Sequence, residues 1–95
     1  MDEVALLTRD GVMTLSYEAV LWIVERVGPD VLEETVSALD IGLERGVTVL
    51  PPAELASFVE WLEAELAALP QEERAEPAPA ALAELVAAVA PRERG

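Results

Sequence analysis

Residues 1–14 read MDEVALLTRDGVMT, and the fold class turns on how they are taken. Asp2 can cap a single helical turn over residues 3–7, with Arg9-Asp10-Gly11 as the turn that follows. Equally, VALLT (4–8) and VMTL (12–15) can form a short hairpin around Asp10-Gly11. In that second case the β-branched segment GVTVL (46–50) is a candidate to pair with it. Either way the stretch has no independent stability. The segments that follow it predict an all-α protein: a compact three-helix bundle, a Pro-rich tether and a short fourth helix, with a small hairpin or turn at the N-terminus.

The first predicted helix covers about 15–27, with Thr14 or Ser16 as its cap and Gly28-Pro29 as its stop. Tyr17, Val20, Leu21, Ile23, Val24 and Val27 span a wide apolar arc, which Leu15, Ala19 and Trp22 carry to the opposite side. Only Glu18 and Glu25 form a polar strip, the pattern of a central helix covered from several sides. A second helix, from Pro29 or Asp30 to Arg45, has acids at its positive end and Gly46 as its stop. Its stripe is Leu32, Val36, Leu39 and Leu43. The third, about 52–69, opens on Pro51-Pro52, ends at Pro70 and carries the clearest stripe, through Leu55, Phe58, Val59, Leu62, Leu66 and Leu69.

These helices make residues 1–69 one domain. The segment PQEERAEPAP (70–79) has no periodicity and three prolines, as expected of a semi-extended linker. It leads to a short helix over 80–90, marginal if left alone, and a frayed tail over 91–95.

Trp61 breaks the regularity. It stands about 110° from the centre of the third helix's stripe, among Ser57, Ala64 and Ala68. Burying that ring contributes roughly 2–3 kcal/mol. Two arrangements use it: the C-terminal helix covers a second side of the third helix, or Trp61 meets another molecule. The expected partner interface is therefore Trp61, Ser57, Ala64 and Ala68, together with Leu82, Leu85, Val86 and Val89 of the C-terminal helix.

Composition bounds the function. The chain has 95 residues and a net charge of −13, spread evenly, with six arginines as its only cations. Direct nucleic-acid binding is disfavoured, because that affinity comes from cations displacing counterions; an anionic membrane surface is disfavoured likewise. A basic protein remains an electrostatically suitable partner. The chain opens on Met1-Asp2-Glu3 rather than a basic leader and has no long apolar run, so a cytoplasmic location is expected.

With no His and no Cys, the usual general bases, nucleophiles and soft metal ligands are missing. The five glycines are read as standing singly at element ends or turns, so there is no phosphate loop. Asp40-Ile-Gly-Leu-Glu44 lacks the ligand spacing of a calcium loop. Glu33, Asp40 and Glu44, and Glu18 with Glu25, share helical faces that read as solvated surfaces. No enzyme, cofactor or metal site is expected.

The reading is a non-enzymatic protein–protein interaction or adaptor module, a homo-oligomer (a dimer first) or a subunit of a larger assembly with an unidentified, basic protein. The alternative is an acidic decoy that imitates nucleic acid and blocks a DNA- or RNA-binding protein.

Overall fold

The computed structural model describes residues 3–8, 11–28 and 30–94. The readings that fell on Asp2, Arg9, Asp10 and Pro29, and on the last residue of the tail, lie outside them.

The N-terminal stretch is a hairpin. Strand β1 (Glu3–Thr8) pairs antiparallel with β2 (Gly11–Ser16), from Glu3 opposite Ser16 to Thr8 opposite Gly11. A third strand, β3 (Val47–Val49), lies parallel to β1 on its other side, with Ala5, Leu6 and Leu7 opposite Val47, Thr48 and Val49. The sheet order is β2-β1-β3. This overturns the all-α expectation: the fold is α+β, a mixed three-stranded sheet with five helices. Period-2 alternation puts Val4, Leu6, Leu15 and Thr48 on the buried face. The reason the strands were hard to read is on the other face, where Ala5, Leu7, Val12, Val47 and Val49 are apolar too. The usual apolar–polar signature of a half-covered antiparallel sheet is therefore absent.

Helix α1 (Tyr17–Arg26) begins as β2 ends, with the Ser16 hydroxyl accepting from the Ala19 N–H at 3.1 Å. It buries Ala19, Val20, Trp22 and Ile23 and touches α2, α5 and both hairpin strands, as its all-round apolar surface requires. Arg26 lies over the Trp22 ring at 4.1 Å from its centroid, the i,i+4 stack that the sequence allows.

Helix α2 (Glu33–Arg45) starts later than expected, because the Gly28 carbonyl accepts from the Val31 and Leu32 N–H groups in a turn ahead of it. It ends on Gly46, whose φ of 81° suits glycine and reverses the chain directly into β3. Gly42 is not at an element end, as the sequence reading had it, but inside α2 and buried. A Cβ there would stand 2.9 Å from Val4 Cγ1 and 3.1 Å from Thr48 Cγ2. The bare backbone is what lets α2 lie against β1 and β3.

Helix α3 (Pro52–Ala68) buries Leu55, Phe58, Val59, Leu62 and Leu66, its expected stripe. The supposed linker is structured: a helical turn α4 (Gln71–Arg74) follows Pro70, and α5 runs Pro77–Arg94. Pro77 and Pro79 fall in the first turn of α5, where a missing N–H costs nothing because no carbonyl awaits it. The Arg74 guanidinium donates to the Leu69 carbonyl at 2.9 Å, satisfying an acceptor at the end of α3. The fourth helix thus begins three residues before 80 and extends past 90 through the segment read as frayed.

The radius of gyration is 12.2 Å, against about 12.4 Å for a compact chain of this length, so α5 is packed rather than tethered. Leu82 is fully buried and Val89 nearly so.

Replacing Gly42 by Ala gains about 1 kcal/mol of helix propensity. Forcing a methyl against stiff, buried Val4 costs about 1–3 kcal/mol. We expect G42A to be net destabilised by about 1 kcal/mol in chemical denaturation; a G42A protein at least as stable as the parent contradicts the close approach.

Candidate functional site

Two regions compete for the role of site, and the first is the third helix. Its eight expected interface residues divide into two groups. Ser57, Ala64 and Ala68 are exposed beside a half-buried Trp61 that packs on the main core. Leu82, Leu85, Val86 and Val89 are turned inward: the first and last are buried, and the other two pack on the core. Leu85, Val86 and Val89 face Phe58, Val59 and Leu62 across a void of only about 10 Å³. That is too small and too apolar for a ligand, and barely the size of one probe sphere. So α5 covers the main stripe of α3, within the chain.

The side of α3 that carries Trp61 is fixed by Glu54, seven residues earlier and within about 20° on the helical wheel. Glu54 reaches the first turn of α2. Its Oε1 accepts from the Thr35 hydroxyl at 2.8 Å and the Thr35 N–H at 2.9 Å, and its Oε2 accepts from the Glu34 N–H at 3.4 Å. Leu32, at the N-cap of α2, offers no side-chain cap of its own. A carboxylate from another helix therefore satisfies these donors and sits at the positive end of the α2 dipole. The Thr35 hydroxyl bond, opposed by desolvation and aided by the two backbone bonds, holds the Glu54 carboxyl below its usual pKa. Glu54 thus ties this side of α3 to the start of α2, while Trp61 is half-buried against the main core.

The carboxylates read as solvated faces, Glu18, Glu25, Glu33, Asp40 and Glu44, are all exposed. Among the described residues no three His, Cys, Asp or Glu side chains gather closely enough to hold a metal ion. No helix of the described residues is long and apolar enough to cross a membrane.

The second region is the sheet. Helices cover its inner face, whereas on the outer face Val12 is 63% exposed, Val49 61% and Val47 44%. Beside the free edge of β3 lies a groove of about 400 Å³, walled on one side by Leu7, Val47, Thr48 and Val49 and on the other by Ala38, Ile41 and Arg45 of α2. Ile41 is 45% exposed. Among the described residues no carboxylate lines the groove, although the chain carries 19 acids, and the charge in that lining is the Arg45 guanidinium. None of these residues is in the expected interface; the sequence reading takes 46–50 only as a β-branched segment able to pair with the hairpin. The available signal was VTV after a helix-ending glycine, where one inward Thr between two Val marks a strand whose outer face is apolar.

No protein-family model, curated protein or solved structure matches the chain. The reading of function therefore rests on the surface alone.

Glu54 offers a clean pH test. Its folded pKa lies below the ordinary glutamate value of about 4.3. Its contribution to stability is therefore complete above that value and disappears as pH falls through the depressed folded one. We expect E54Q to melt below the parent at neutral pH, with the gap closing below about pH 4. A gap that is the same at every pH, or none, removes the cap.

Proposed function

We propose that the chain is a non-enzymatic protein–protein interaction module of the cytoplasm, working as a homo-oligomer or as a subunit of a larger assembly, and that it engages its partner through the outer face of the sheet. The observation that carries this reading is the exposure of Val12, Val47 and Val49 on a sheet covered from one side only. Isolated exposed apolar residues are ordinary, but a run of them across paired strands is the kind of surface that contacts other proteins. The location of the interface differs from the sequence expectation, because the C-terminal helix spends its apolar stripe on α3. The high charge supports the same reading: it keeps the molecules apart in general and leaves association to the groove whose described lining carries no acid.

The test is a double substitution, V12T/V49T, which keeps strand propensity and removes apolar surface. We expect its melting to stay within about 0.5 kcal/mol of the parent. Its self-association in light scattering and its retention of host proteins on an affinity column should both fall. Association indifferent to V12T/V49T contradicts the proposal. If that association also collapses with salt, the acidic-decoy reading takes its place.

A further inference from the structure

Two hydrogen bonds set the phase of the β1–β3 ladder: the Ala5 N–H donates to the Gly46 carbonyl, and the Leu50 N–H to the Leu7 carbonyl, each at 2.9 Å. Along a strand the bonding groups of successive residues alternate between its two sides. Gly46, Thr48 and Leu50 therefore serve β1, and the N–H and C=O of Val47 and Val49 point to the free edge. An edge of unpaired groups is a template for another strand unless it is blunted. Charged side chains, a proline or a bulge would blunt it, and β3 has none of these: its three residues are Val, Thr and Val.

Resting on the reading of the chain as an interaction module, we propose that the occupant of this edge is β3 of a second copy, paired antiparallel about a two-fold axis through Thr48. The pattern is self-complementary. With the axis at Thr48, Val47 of one copy stands opposite Val49 of the other, and each such pair exchanges both of its hydrogen bonds. Every outward backbone group of the strand is then satisfied, with none left over. The two three-stranded sheets become one continuous sheet. The exposed Val47 and Val49 of both copies lie side by side on its outer face, where cross-strand β-branched pairs are favourable.

Charge permits the same occupant. Among the described residues the groove beside β3 is lined by no acid and one guanidinium, Arg45, with Ala38 and Ile41 apolar beside it. About the two-fold axis this wall meets its own copy, so no carboxylate of the described lining opposes another despite the net charge of −13. The axis also makes the interface isologous and closed, which prevents the open-ended growth that an unblunted edge otherwise invites.

Two copies at −13 repel each other at long range. Screening that repulsion shifts the equilibrium toward the dimer as salt rises, the reverse of binding a basic partner. V49P deletes an outward donor without touching the β1 ladder, a position where an edge strand tolerates proline.

The experiment is analytical ultracentrifugation of the full chain at low and high salt, with V49P alongside, followed by a mixing experiment with single-cysteine variants. The chain has no cysteine of its own, so any cross-link reports the introduced pair. We expect a monomer–dimer equilibrium that moves toward dimer with added salt, and loss of the dimer in a V49P protein that keeps its circular dichroism. Under oxidation, V47C mixed with V49C should give a disulfide-linked dimer, whereas V47C alone should not, because like positions lie beyond disulfide reach. The cysteine arm decides the matter if V49P fails to fold. A dimer with no V47C–V49C cross-link overturns the inference. So does a protein that is monomeric at every salt concentration; if that monomer still retains a host protein through Val12 and Val49, the interaction-module reading survives without the self-pairing.

Discussion

The parallel pairing of Ala5, Leu6 and Leu7 with Val47, Thr48 and Val49 holds the fold together. Parallel neighbours cannot be joined by a tight turn; the chain must leave one end of the sheet and return to the other. Here that return carries β2, α1 and α2, so one short ladder closes more than a third of the molecule. The ladder can form only because α2 comes down onto the sheet at Gly42, where any side chain would meet Val4 and Thr48. Position 42 and the β1–β3 register are a single constraint seen from two elements. Of the helices that follow, α5 packs on α1 and β2, and α3 packs on α5 and α2.

That arrangement fixes which apolar surface is spent and which is left. A chain of 95 residues with 53% hydrophobic residues has more apolar surface than a small core readily absorbs. The C-terminal helix resolves much of the excess by covering the α3 stripe, and Trp61 is half-buried on the opposite flank. What stays uncovered lies on the outer face of the sheet and along the β3 edge. In a molecule this acidic, a groove with no carboxylate among its described lining stands out electrostatically as well as chemically.

The helices were legible because their stripes are regular. Ser16, Gly46 and Pro52 fixed their ends to within a residue or two, and Trp22 and Arg26 stack as their spacing allows. The fold class was not legible, for a physical reason rather than for lack of signal strength. A strand announces itself by alternation, and alternation disappears when Ala5, Leu7, Val12, Val47 and Val49 make the solvent face apolar. The same property that hid the strands creates the candidate interface. The segment 70–79 was misread because proline argues for an extended linker everywhere except in the first turn of a helix, where Pro77 and Pro79 sit. The cap that Glu54 places on α2 is a tertiary contact across 19 positions, beyond any local pattern. Trp61 stands off the main α3 stripe and is half-buried against the core.

Residue-resolved amide hydrogen exchange, followed by NMR from dilute to concentrated samples, addresses the ladder and its free edge together. The account predicts that the Thr48 and Leu50 amides are protected at every concentration, because β1 holds them. The Val47 and Val49 amides should exchange freely when dilute and become protected as the protein is concentrated. Unprotected Thr48 and Leu50 would contradict the sheet itself, and Val47 and Val49 amides indifferent to concentration would contradict its role as the surface where two copies meet.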